Sequence, residues 1–143
     1  MAFVSVTRLR LRSLRFLPGF VIHALRSSAQ VRRAPGYRSG SALSDRRLTF
    51  WTLTVWDDEA AMRAYMLSGA HRLAMPKLVH WCDEASVVHW PTEADAAPAW
   101  NEATRRMRAE GRVSKVRNPS PRHGDMSYAE PRLSGAAPLP PVR

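Results

Sequence analysis

The sequence predicts an α+β domain: an antiparallel four-stranded sheet with two helices on one face, in the order strand, helix, strand, strand, helix, strand. Three stretches carry that reading. Residues 48–56 are all β-branched, aromatic or Leu, with no Gly or Pro, the composition of a buried strand. Residues 2–7, Ala-Phe-Val-Ser-Val-Thr, alternate as a half-buried strand does. Between these two, Phe20, His23, Ala24, Ser27 and Val31 recur at three- and four-residue steps, the period of an amphipathic helix.

The first strand begins at Ala2. Residues 1–33 are rich in Arg and Ser and free of acids, as an organellar leader would be, but a cleaved leader has no use for strand alternation, and no continuous apolar stretch with a small-residue cleavage site follows. The helix over 16–33 starts near Pro18, which suits a first turn better than an interior, and Ala34-Pro35-Gly36 stops it. Residues 37–43 form a short strand weakened by Gly40, and Ser44-Asp45-Arg46-Arg47 is a polar turn.

Both alternating faces of the 48–56 strand carry large groups, Phe50 and Trp56 on one, Trp51, Leu53 and Val55 on the other, so it is a central strand buried on both sides. Asp57-Asp58-Glu59 places acids where a helix start has free amides and a positive dipole end. Met62, Tyr65 and Met66 make the apolar stripe of that helix, and Ser68-Gly69 breaks it. A second helical piece over 71–82 contains Pro76 and is kinked or restarted there. Residues 85–90 are the last strand, ended by Pro91. This order is the ferredoxin-like split βαβ arrangement. It occupies residues 1–92. An extension over 93–117 carries a short helix with Trp100, Thr104 and Met107 on one side, and 118–143, Pro-rich, basic and without hydrophobic period, is expected to be a disordered tail.

The chain of 143 residues is short for two compact domains. Its net charge of +10 is uneven. Residues 1–44 hold eight Arg and no acid, and residues 45–100 are net acidic. A nucleic-acid reader usually interleaves its cations with aromatic residues, whereas all five tryptophans sit in the acidic middle; nucleic acid is therefore not the expected partner. No apolar run is long enough for a membrane span. The single cysteine, Cys82, excludes an internal disulfide and any multi-cysteine metal site made by this chain alone, and a cytoplasmic location is expected. An open sheet face bearing aromatic side chains needs a cover, and a second copy of the same sheet supplies one, which predicts a two-fold homodimer.

The run Trp51-Thr-Leu-Thr-Val-Trp56, then Met62-Arg-Ala-Tyr-Met66, then Ser68-Gly-Ala-His71-Arg72, with Trp81 and Glu84 in the closing segment, resembles the dimeric α/β-barrel superfamily, in particular its antibiotic-biosynthesis monooxygenase-like branch, which includes proteins similar to spheroidene monooxygenase. The resemblance covers residues 2–92. It implies a cavity between sheet and helices that takes a small hydrophobic molecule, aromatic or polyene, and either oxidises it without a cofactor, or with haem, or only binds it. Phe3, Ser5, Leu53 and Trp51 would line that cavity from the strands, and His23, Met62, Tyr65, Met66, His71 and Trp81 from the helices.

His71 is the first choice for a proton acceptor, with Tyr65 as hydrogen-bond donor. The resemblance also makes His71 an axial ligand if haem is bound; otherwise it caps a helix start or pairs with an acid such as Glu84, and no other metal ligand set is expected. Trp51 is the packing wall of the pocket, and Trp56, five residues on and so on the opposite face, is left for the dimer interface. Arg63 and Arg72 have the forked cation that orients an anionic group, or are ordinary surface arginines. No Walker loop, dinucleotide glycine pattern, HExxH or GxSxG occurs, against nucleotide, zinc-protease and serine-hydrolase chemistry.

Overall fold

The computed structural model describes residues 1–94 and 96–142. Its elements are β1 (Ala2–Leu11), α1 (Leu17–Val31) after a short 3-10 turn, β2 (Tyr37–Asp45), β3 (Thr49–Trp56), α2 (Glu59–Met66), α3 (Gly69–Trp81), β4 (Cys82–Thr92), α4 (Trp100–Glu110), β5 (Arg112–Val113) and β6 (Ala136–Pro138). The sheet is antiparallel throughout, in the order β5-β4-β1-β3-β2-β6. Its inner four strands and the α1–α3 layer are the ferredoxin-like α+β fold that the sequence predicts.

The strand limits move for identifiable reasons. In β4, Pro91 pairs with Phe3 on the β1 side, and β5 reaches only as far as Ser86 and Val87 on the other. Pro91 thus lacks its N–H where no ladder asks for one, and the strand runs through it. Gly40 does not weaken β2 but permits it: a Cβ there would stand 2.5 Å from the Leu53 carbonyl oxygen. Asp58 caps α2 as expected, accepting from the Ala61 N–H at 2.8 Å. Gly69, at φ +57°, restarts the chain as α3.

The two faces of the sheet are assigned the other way round from the sequence reading. Trp56, with no exposed surface, lies on the helix side with Val31, Tyr37 and Met62. Trp51, Leu53 and Val55 lie on the far side, with Val4 and Val6 from β1 and Val88 and Trp90 from β4. Register enforces this: Phe3 is opposite Trp56, and Val4 is opposite both Val55 and Trp90, so each apolar set shares a face with its cross-strand partners.

The far face is covered by the chain itself. Ala103 and Met107 of α4 and Tyr128 are buried in its core, with Trp100 and Met126 packed alongside. Trp51 is met edge-on by Trp100 at 6.4 Å and by Tyr128 at 5.9 Å. Farther along, β5 pairs with β4 and β6 with β2, closing both edges of the four-stranded sheet. The surface that predicted a two-fold homodimer is thus already occupied from within. Within 118–143, expected from the sequence to be a disordered tail, Met126 and Tyr128 pack on the far face and the three-residue β6 pairs with β2. Among the described residues no helix is long and apolar enough to cross a membrane.

Candidate functional site

The predicted site residues divide into three places. Met62, Tyr65, Met66 and His71 come together around Trp56. His23 and Trp81, 5.7 Å apart, belong to a second group with Phe16. Trp51 is a correction: it stands across the sheet, under α4 and Tyr128, and lines nothing that His71 lines. Leu53 shares that far face. Arg63 is exposed and pairs with Glu59 one helical turn earlier, and Arg72 is exposed too.

The first group is a relay of edge-on and tilted rings running from the sheet to the helix layer. Tyr37 meets Trp56 at 5.4 Å, Trp56 meets Tyr65 at 5.4 Å, and Tyr65 meets His71 at 4.8 Å. Each ring is fixed at its polar end. The Trp56 indole N–H donates to Thr54 Oγ1 at 2.9 Å, and the Tyr65 hydroxyl donates to the Ser27 carbonyl of α1 at 3.3 Å. Gln30 ties the layers together: its amide donates to the Ser68 carbonyl at 2.9 Å and to the Tyr65 carbonyl at 3.3 Å, while its oxygen accepts the His71 backbone N–H at 2.9 Å.

His71 has a defined tautomer. Its Nδ1 lies 3.2 Å from the Met66 carbonyl oxygen, an acceptor only, so Nδ1 carries the proton and Nε2 presents a lone pair. Burial lowers the His71 pKa below its usual 6.5, the Met66 hydrogen bond opposing in part. Burial raises the Tyr65 hydroxyl above its ordinary value and pushes Tyr37 up to about 12. At neutral pH the group therefore offers one unprotonated nitrogen base beside two neutral phenols. Tyr65, Met66 and His71 are each half-buried, so this base sits at an edge that solvent and a small molecule can reach.

Haem does not fit here. The sides of the His71 ring are taken by Tyr65 and by the chain turn held through Gln30. Trp56 and Met62 fill the space beneath. A cavity of about 410 Å³ lined by Asn101, Thr104, Arg105, Arg108, Ala109 and Glu130 lies instead on α4, beyond the sheet. Among the described residues no three His, Cys, Asp or Glu side chains gather as a metal site. Cys82 is buried, and desolvation first, then the Asp83 charge, push its thiol up to about 12, which makes it inert.

Glu84, offered as a partner for His71, is bound on the opposite face. Arg8 donates to it at 2.7 Å, Arg10 at 3.1 Å and Ser120 at 2.8 Å. Burial alone would raise this carboxyl, but the hydrogen bonds from Arg8 and Ser120 and the two guanidinium charges outweigh it and hold it below its usual value.

Sequence reasoning missed Gln30 and Tyr37 and misplaced Trp56. Gln30 continues the His23–Ser27 stripe by one more three-residue step, so period alone could have found it. Tyr37 opens β2, whose neighbour β3 ends at Trp56, and the two residues are cross-strand partners beyond a register shift between Tyr37 and Ser39.

The buried His71 sets a pH dependence. His89, facing Phe3 from β4, is also lowered, chiefly by burial and then by Arg112. Both rings bind a proton more readily in the unfolded chain, so the unfolded state gains protons first as pH falls. Stability is therefore full above about pH 6.5 and declines as the pH is lowered through that value. Thermal melts across this range are expected to show a slope that His71→Gln makes shallower; an unchanged slope would show that His71 titrates alike in both states.

No curated protein sequence matches the chain. Solved structures do. One is SnoaB, a cofactor-independent oxygenase from Streptomyces nogalater, at TM-score 0.53 and 17% identity, covering 65% of this chain and 94% of that one. Another is a candidate antibiotic biosynthesis monooxygenase of Nitrosomonas europaea, at TM-score 0.59 and 12% identity, covering 67% and 94%. A third is Rv0793 from Mycobacterium tuberculosis, at TM-score 0.59 and 11% identity, covering 68% and 100%. Each neighbour is nearly used up by two-thirds of this chain. The fold is thus that of the antibiotic-biosynthesis monooxygenase-like proteins, with about a third of the chain added to it. Residues 12–114 match the family described as a domain of unknown function, DUF3291, and as that match spans most of its length, the chain belongs to this family.

Proposed function

We propose that the protein is a cofactor-independent monooxygenase-like enzyme for a small, flat, electron-rich aromatic molecule, with the Tyr65–His71 edge as its active site. The carrying observation is the His71 tautomer: Nδ1–H is committed to the Met66 carbonyl, and Nε2 is an unprotonated base next to an aromatic wall. The fold shared with a cofactor-independent oxygenase supports this reading.

Oxidation without a cofactor requires the substrate to supply every electron. A proton from an activated ring methylene passes to His71 Nε2, and the resulting carbanion, spread over the aromatic system, reduces dioxygen and forms a carbon–oxygen bond. The methylene becomes a carbonyl, and the second oxygen atom leaves as water with the substrate's two hydrogens. Four electrons leave the carbon and four are taken up by dioxygen, so the balance closes without an external reductant. The protein's share is orientation against Tyr65 and Met66, partial exclusion of water, and one base.

The test is oxygen uptake by the full chain with an anthrone as probe. General-base removal in His71→Ala is expected to lower turnover by about a hundredfold or more and to leave the melting temperature within a few degrees, since the ring is half-exposed. The rate should fall below the His71 pKa and stay level above it. No uptake by the wild-type chain would leave a non-catalytic ligand-binding protein, and uptake indifferent to His71→Ala would overturn His71 as the base.

A further inference from the structure

The outer surface of the α1–α3 layer does not look like a helix layer turned to water. In α1, Pro18, Val21, Ile22, Leu25 and Ala29 are all exposed. At 3.6 residues per turn they share one sector, on the side opposite the buried Phe20 and Val31. The helix is apolar both inward and outward. The turn before it adds Leu14, 69% exposed, and α3, which packs beside α1, adds Leu73 at 68% and Met75 at 40%; Leu25 and Ile22 are 67% and 50% exposed. Isolated exposed leucines are ordinary, but an assembly of this kind on two adjoining helices is a patch.

The charge around the patch has a single sign. Neither α1 nor α3 contains an Asp or Glu. Arg15, Arg26, Arg33, Arg72 and Lys77 are exposed on or beside these helices. Among the described residues none of the five has a carboxylate within 4.0 Å. Of the three acids at the start of α2, Asp57 and Glu59 are matched by Arg38 and Arg63 and Asp58 caps the helix. Apolar side chains ringed by unpaired cations on a helix lying flat are the chemistry of an anionic lipid surface: the apolar sector enters the boundary between headgroups and acyl chains, and the cations meet the phosphates.

We propose that the outer face of α1 and α3 docks on anionic membrane surfaces, with Leu14, Ile22, Leu25 and Leu73 inserted and Arg15, Arg26, Arg33, Arg72 and Lys77 at headgroup level. A second copy on this face would set five cations against five. Nucleic acid would satisfy the cations and leave the leucines against a polar backbone. The inference stands apart from the proposed reaction, and neither its success nor its failure bears on His71.

Co-sedimentation of the full chain with vesicles tests it. Vesicles of phosphatidylglycerol mixed with phosphatidylcholine are expected to bind the protein at low salt, phosphatidylcholine alone to bind it weakly, and added salt to release it. Ile22→Gln combined with Leu25→Gln changes two exposed residues, should leave the melt unchanged, and should lower partitioning by about tenfold or more. Arg26→Gln with Arg72→Gln should lower it by about 25-fold, each cation near the surface being worth about fivefold. Four results would overturn the proposal: no binding to the anionic vesicles, binding that the Ile22/Leu25 variant retains in full, DNA retention stronger than vesicle binding at matched salt, or self-association by light scattering that the Ile22/Leu25 variant abolishes.

Discussion

Removing the residues beyond Asn118 is expected to destabilise the protein severely and to turn it from a single chain in solution into dimers or aggregates. Tyr128 is buried against Trp51 and roofs the far face of the sheet together with α4. Losing a buried aromatic side chain costs about 3–5 kcal/mol. The truncation also strips away Met126, the Ser120 hydrogen bond to Glu84 and β6. What it uncovers includes Trp51 and its apolar neighbours from β1 and β4, an area large enough to seek another copy. Light scattering should therefore give one-chain mass for the full protein at micromolar concentration and higher mass for the truncated one, with a much lower melting temperature. Equal melts would show that the segment contributes nothing to the fold.

The second large effect belongs to Arg8. Arg8 as a residue is 5% exposed, its guanidinium is bound to a Glu84 that is 2% exposed, and the Tyr128 ring lies over it at 3.6 Å. Arg8→Met leaves the Glu84 charge buried with only Arg10 and Ser120 to hold it, a loss of about 3–5 kcal/mol. Replacing both groups, Arg8→Met with Glu84→Leu, removes the charge along with its partner and should restore most of that loss, because a buried pair often does little better than apolar residues of similar volume. Chemical denaturation of the two variants separates the cases. A double variant as unstable as the single one would mean that the pair itself, and not the stranded carboxylate, carries the stability.

The inner fold was legible because its signals are local. The unbroken β-branched and aromatic run at 48–56 and the alternation at 2–7 are strand signals, and the 3.6 period of the first helix is another that neighbours in sequence suffice to show. Strand parity likewise put Trp51 and Trp56 on opposite faces. Which face each one took was not legible, since that depends on the register of β3 with β1, a relation between residues about fifty positions apart. On the helix side, Met62, Tyr65, Met66 and His71, which lie within ten positions of one another, come together as their spacing in the sequence groups them. Trp51 was assigned to them through the same unresolved parity. The cover over 114–138 escaped because it is held by isolated anchors, Met126 and Tyr128, and by strands of two and three residues, and neither kind of contact has a period.

The pairing of β6 with β2 brings Ser41 opposite Pro138, about two-thirds of the chain apart. Contacts so distant in sequence close last and slowly, since the loop entropy is spent before the contact gives anything back. The inner sheet is complete once Thr92 has been synthesised, well before the residues that shield its far side. A nascent chain thus passes through a stage in which the sheet is formed and Trp51 faces solvent or a chaperone, and the yield of folded protein depends on how quickly the closing segment arrives.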